Sequence, residues 1–104
     1  MAYKVQLTED AEQDFERYVR YLLLIKKNEQ AARNLISDFE ATKKSLEQVA
    51  ESLKYCDNSR LSQQGYRRIN FLSHRYFMMY RVENEIVIVD NIFHELQDFE
   101  RKVN

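Results

Sequence analysis

The residue types best suited to chemistry crowd into the C-terminal half of the chain. Between Asn58 and Val82 there are five cations, Arg60, Arg67, Arg68, Arg75 and Arg81, and no acid. All five are arginine, whose planar fork grips a phosphate or carboxylate through two parallel hydrogen bonds. His94 follows downstream. An imidazole beside guanidinium groups can move a proton during phosphodiester cleavage while the cations stabilise the developing negative charge. The competing reading is structural: arginines on a solvated strand surface and a hydrogen-bonded histidine at a strand end. His74 falls in a turn and reads as incidental. The single cysteine, Cys56, and two histidines at no ligand spacing cannot build a zinc site, so no metal is expected. There is no Walker loop, no dinucleotide glycine pattern and no Gly-x-Ser-x-Gly elbow, so no cofactor is expected either.

The net charge of −1 conceals three unlike blocks. Residues 1–57 balance to −2, residues 58–82 to +5 and residues 83–104 to −4. A length of 104 residues predicts one domain spanning residues 1–104, large enough to bury a core without staples. A lone cysteine excludes an internal disulfide framework and fits a reducing compartment. Glu9, Asp10, Glu12 and Asp14 are incompatible with a secretory signal. The densest apolar run, Tyr21 to Ile25, is far short of the roughly 20 residues that span a bilayer. A cytoplasmic protein without membrane association is the expectation.

Positioning these side chains requires a mixed architecture. Tyr3 to Leu7 alternates apolar and polar and reads as a strand with one buried face. Thr8 can cap a helix whose apolar positions Ala11, Phe15, Tyr18, Val19, Leu22 and Leu23 run to about Lys26. Asn28 can cap a second, longer helix striped by Ala32, Leu35, Ile36, Phe39, Leu46, Val49, Ala50 and Leu53. The short gap between them implies an antiparallel hairpin. Cys56 to Gly65 reads as loop. Tyr66–Leu72, Tyr76–Val82 and Glu85–Phe93 read as three strands of a meander, with Ser73-His74 and Glu83-Asn84 as tight connections. Glu95 to Val103 reads as a short last helix.

With two-residue turns, alternation assigns the sheet faces. Ile69, Phe71, Tyr76, Met78, Tyr80, Val82, Val87, Val89 and Phe93 share one face, with Arg67 and Asn91 near its ends. This is the face expected against the helical hairpin. Tyr66, Arg68, Asn70, Leu72, Arg75, Phe77, Met79, Arg81, Ile86, Ile88, Asp90, Ile92 and His94 share the other. That second face is too apolar for an ordinary wet surface, so something should cover it. The candidates are a partner's peptide or helix, single-stranded nucleic acid, or the chain's own last helix. The mechanistic expectation is that the arginines and His94 share a groove on this face.

The order of strand, helical hairpin, three-stranded meander and short helix resembles RelE/ParE-type toxins. So do the segments Gly65-Tyr-Arg-Arg-Ile-Asn-Phe-Leu-Ser-His-Arg-Tyr-Phe-Met-Met-Tyr80-Arg-Val and Ile86-Val-Ile-Val-Asp-Asn-Ile-Phe-His94-Glu-Leu-Gln-Asp98. The shared pattern opens on Gly-x-Arg, has a strand ending in Tyr-x-Val and a Val/Ile-rich strand, then a His followed four residues later by an acid. The resemblance implies an α+β fold with the helices on one sheet face. It implies a toxin of a type II toxin–antitoxin, or plasmid stabilisation, module, held in a hetero-oligomer by a cognate antitoxin.

Two activities accompany the family. RelE-like members cut messenger RNA on the ribosome without metal, using basic and polar side chains on the open sheet face. ParE-like members keep the fold but poison DNA gyrase. Arg68 falls near a basic position of the nuclease strand and His94 on the family's His, Arg75 lies two residues before a position that is commonly Arg, and the nuclease reading takes Arg68, Arg75, Arg81 and His94 as catalytic. Tyr66, Arg67, Arg68, Asn70 and Arg75 would then bind RNA. Phe77 stands where nucleases commonly have Arg, and Glu95 where some have an aromatic. The first expectation is a ribosome-dependent endonuclease. The alternatives are a gyrase poison acting through the helical hairpin and loops, favoured by the near-neutral charge, and an inactive antitoxin-binding domain.

Overall fold

The computed structural model describes residues 2–72 and 75–95. Its elements run β1 (Lys4–Leu7), α1 (Glu9–Arg20), α2 (Glu29–Val49), α3 (Ser59–Gln63), β2 (Arg67–Asn70), β3 (Tyr76–Glu83) and β4 (Ile86–His94). The strands form one sheet in the order β1-β4-β3-β2, with β1 parallel to β4 and the other pairs antiparallel. The two long helices lie on one face. This is the α+β architecture that the sequence predicts. The expected helix from Glu95 to Val103 lies, beyond Glu95, outside the described residues, as does the expected turn Ser73-His74. Among the described residues no helix is long and apolar enough to cross a membrane.

The helix starts follow the capping chemistry. Thr8 Oγ1 accepts from the Ala11 amide (3.1 Å) and Asn28 Oδ1 from the Ala31 amide (3.0 Å), each satisfying an amide that the helix itself leaves without a partner. α1 does not stop at its last regular turn but widens into a π-helical turn, Tyr21–Ile25, before Lys27 reverses the chain at φ 50°. The helices meet through the stacked rings of Phe15 and Phe39, 4.0 Å between centroids. Leu35 and Leu46 of α2 pack with Met78, Tyr80, Val87 and Val89 of the sheet into the main core. Tyr80 is fully buried and donates its hydroxyl to the Ala50 carbonyl at 2.7 Å, just beyond α2. Burial pushes its phenol far above the ordinary value.

The β3–β4 connection sits one residue later than expected, at Asn84 and Glu85, with Asn84 at φ 58°. Asparagine tolerates this left-handed conformation, which two-residue hairpins of matching twist require. The alternation over β2, β3 and the first half of β4 is otherwise as expected: Ile69, Phe71, Tyr76, Met78, Tyr80, Val82, Val87 and Val89 all face the helices.

The segment from Cys56 to Gly65 is not simply loop. Asn58 Oδ1 accepts from the Leu61 amide (3.1 Å) and starts the short helix α3. Gly65 adopts φ +87°, a conformation strained for any side chain, and lets the chain turn into β2. α3 drives Leu61 onto the sheet face away from the hairpin. There Leu61 and Cys56, with part-buried Tyr66, enclose Phe77, Met79 and Phe93 in a second small core. The cover that this face requires is therefore supplied in large part by residues 56–66 of the chain itself.

Candidate functional site

Halfway along β4 the register breaks. Met79 lies opposite Asn91 but Tyr80 lies opposite Val89, so Asp90 is one residue in excess. A bulge of this kind reverses the facing of every residue beyond it. Ile92 consequently enters the main core, and Phe93 joins Phe77 and Met79 in the second core. Asn91 moves to the α3 side, beside Asp90, Tyr66 and Met79. His94 arrives on the helix side, its ring edge-on to Tyr76 with centroids 5.0 Å apart. The expected placements of Asn91, Ile92, Phe93 and His94 are all inverted.

α1 holds this bulge in place. β1 pairs with β4 only as far as Val89, and beyond that point side chains of α1 take over the strand edge. Thr8 Oγ1 donates to the Asp90 carbonyl at 3.0 Å. Asp14 Oδ2 accepts from the Ile92 amide at 3.1 Å and from Asn91 Nδ2 at 3.2 Å. Its other oxygen accepts from Arg17 at 3.1 Å. Tyr18 accepts from the His94 amide at 3.0 Å through its hydroxyl. Asp14 is only 5% exposed, so this carboxylate is bought into the interior by the backbone and side-chain donors that it satisfies. Sequence reasoning missed both residues. The signal was present: Asp14 shares the buried stripe of α1 with Ala11 and Tyr18, an acid at core spacing.

The arginines divide by partner. Arg67 hydrogen-bonds the carbonyls of Glu51 (3.2 Å) and Leu53 and the Tyr55 hydroxyl (2.9 Å). Its guanidinium also stacks on the Tyr55 ring at 4.0 Å. It ties the segment beyond α2 to β2, where the sequence reading assigns it to nucleic-acid binding. Arg81 is held by Asp90 (2.9 Å) and by Glu83. The Asp90 carboxylate keeps it protonated still more firmly than usual. Tyr66 joins this cluster, and burial together with its hydrogen bond to Asp90 raises its phenol. Arg75 is exposed; its carbonyl accepts from the Glu95 amide at 2.7 Å, and its guanidinium lies 4.0 Å from the Glu95 carboxylate.

Arg68 is arranged differently. Its guanidinium lies over the Phe77 ring, 3.8 Å from the centroid, and its Nε donates to Asn70 at 3.1 Å. It borders a hollow of about 380 Å³ with Lys54, Tyr55, Cys56, Asp57 and Asn58. Burial raises the Cys56 thiol above its usual range, which disfavours the reactive thiolate. The structure thus brings Arg68, Asn70 and Phe77 together and Tyr66, Arg81 and Asp90 together. It places His94 with Tyr18 and Tyr76 across the sheet. The expected shared groove of arginines and His94 is not formed, because one inserted residue turns the imidazole to the other side.

Comparison with known proteins places this geometry. No curated protein matches the chain. Among solved structures, the chromosomal ParDE toxin–antitoxin system of P. aeruginosa is similar with a TM-score of 0.68 at 21% identity, covering 89% of this chain and 96% of that one. The RelBE2 toxin–antitoxin complex of Mycobacterium tuberculosis is similar with a TM-score of 0.61 at 18% identity, covering 90% and 99%. At these identities the likeness is one of fold. The family model described as "ParE toxin of type II toxin-antitoxin system, parDE" matches residues 5–99, from β1 through the bulged strand and beyond. The chain therefore belongs to the ParE family of type II toxin–antitoxin toxins.

Proposed function

We propose that this toxin acts by binding its target and not by cutting RNA, with DNA gyrase as the target that the ParE-type resemblance implies, and that a cognate antitoxin neutralises it in a hetero-oligomer. One observation carries the reading: His94 and Arg68 stand on opposite faces of the sheet. Metal-free scission of RNA needs the proton carrier and the charge-stabilising cation within hydrogen-bonding reach of one phosphate. Arg81 would have to leave two carboxylates to serve. On the Arg68 side of the sheet Phe77 and Phe93 are buried in the second core, where no further cation stands among the described residues. The antitoxin reading draws support from the family itself and from the toxin–antitoxin complexes among its structural neighbours.

Two assays on the purified protein test this. In a supercoiling assay with DNA gyrase it should inhibit the enzyme. In a coupled translation reaction, primer extension on reporter messages should show no codon-dependent cuts. Cuts that appear with the wild type and vanish with Arg68→Ala or His94→Gln would overturn the proposal and restore the ribosome-dependent endonuclease.

A further inference from the structure

The apolar run Tyr21–Ile25 is too short to span a bilayer, yet it forms the tip of the helical hairpin and stands largely outside the core. There α1 widens into a π-helical turn, in which the Lys26 amide donates to the Tyr21 carbonyl at 3.1 Å, spanning one residue more than an α-helical bond. Leu22 packs against the main core. Tyr21, Leu23, Leu24 and Ile25 stay 45%, 43%, 62% and 67% exposed. Successive residues of a helical turn point roughly 100° apart, so these four side chains radiate around the tip instead of sharing one face. A flat protein surface can meet one side of such a tip, whereas a fluid medium that closes around it buries all four.

Charge selects the medium. Between Glu16 and Glu29 the chain carries Arg17, Arg20, Lys26 and Lys27 and no acid. The two flanking acids are themselves paired, Glu16 with Arg20 and Glu29 with Arg33. Among the described residues neither Lys26 nor Lys27 is ion-paired. The Lys26 ammonium lies 5.9 Å from the Tyr21 ring centroid. Lysine stems lie along apolar surface while their ammonium groups reach for polar surroundings, and a tyrosine ring has an apolar body and a polar end. Both suit the boundary between acyl chains and headgroups. Five residues at about 1.5 Å of helical rise reach about 7 Å, within the roughly 5–10 Å to which interfacial apolar groups sink. Anionic headgroups complement the lysines.

We infer that the Tyr21–Ile25 tip inserts shallowly into anionic membrane surfaces, with Leu23, Leu24 and Ile25 among the acyl chains and Lys26 and Lys27 on lipid phosphates. The sequence expectation of no membrane association rests on the length of this run, and length excludes spanning, not docking at the surface. The insertion uses none of Arg68, Arg81 and Asp90, and it rests on neither the gyrase reading nor the antitoxin reading.

The chain has no tryptophan, so Tyr21→Trp places a single fluorescent reporter at the tip. On addition of vesicles of phosphatidylglycerol and phosphatidylcholine its emission should shift to the blue. The full-length wild type should cosediment with these vesicles at least about tenfold more strongly than with phosphatidylcholine alone. Leu24→Gln with Ile25→Gln keeps the charge and should lose at least about tenfold in partitioning. Lys26→Glu with Lys27→Glu keeps the apolar side chains and should lose as much. All these positions lie on the surface, and circular dichroism verifies that the variants fold. A wild type that stays in solution, or that binds phosphatidylcholine equally well, would overturn the inference. Cosedimentation without the blue shift would assign the binding to another part of the surface. Equal binding by the glutamine variant would reduce it to adhesion by charge, and either result also overturns the insertion. Purified DNA gyrase that binds the wild type and loses affinity for both variants, with vesicles that do not bind, would make the tip a protein-docking surface instead.

Discussion

Asp14→Ala is expected to cost about 2–4 kcal/mol of folding stability, far more than an ordinary change of a helix acid. The substitution leaves the Ile92 amide and Asn91 Nδ2 without their acceptor in a site where Asp14 is 5% exposed. It also removes the carboxylate that pairs with Arg17. For a domain of this size the midpoint of thermal unfolding should fall by on the order of 10–20 °C. Asp14→Asn keeps one acceptor oxygen and should recover a good part of the loss. Urea or thermal unfolding followed by circular dichroism measures both. A loss below about 0.5 kcal/mol for the alanine variant, the size of a plain surface effect, would mean that the carboxylate does not hold the bulge.

Phe77→Arg should be worse. The resemblance to nucleases makes arginine the natural replacement at this position, yet the site is built for a ring. Phe77 is 1% exposed, and its ring meets Phe93 at 5.5 Å between centroids. Arg68 already lies 3.8 Å from the Phe77 ring centroid. A second guanidinium there loses the aromatic packing, meets a like charge and has no acid among the residues of the second core. The expected cost is about 3–5 kcal/mol, a large share of the roughly 5–15 kcal/mol that holds a domain together. Phe77→Leu, which keeps the site apolar, should lose much less. Denaturant midpoints and soluble yield distinguish the two. A well-folded Phe77→Arg protein that cuts messenger RNA would show that this face opens as a catalytic groove.

These two sites also mark where sequence reasoning succeeds and where it stops. The caps Thr8 and Asn28, the helical hairpin and the alternation of β2 and β3 are local features, and each was legible because neighbouring residues alone decide it. The bulge at Asp90 is not local. It depends on α1 offering Thr8, Asp14 and Tyr18 to the edge that β1 leaves at Val89. A period-two pattern carries no mark of an inserted residue, so it puts Asn91 through His94 on the wrong sides. Helix α3 leaves no periodic signal because it has five residues and Leu61 is their one apolar anchor.

The arginines teach a related lesson. Residue type and spacing identify five cations but not their partners. Arg67 is consumed by carbonyls beyond α2, and Arg81 by an acid that comes near only once the β3–β4 register is set. Arg68 keeps its guanidinium on the Phe77 ring and itself lines an open hollow. Its sequence neighbour Arg67 looks equivalent on paper and does a different job, because adjacent strand residues point to opposite faces.

His94 lies on the helix side of the sheet, and nuclear Overhauser contacts of its imidazole protons report that placement directly. In the isotope-labelled full-length protein, cross-peaks are expected from the His94 ring to the ring protons of Tyr76 and Tyr18. Cross-peaks to Phe77 or to the Arg68 side chain instead would place the imidazole with the arginine and contradict the structure's central arrangement.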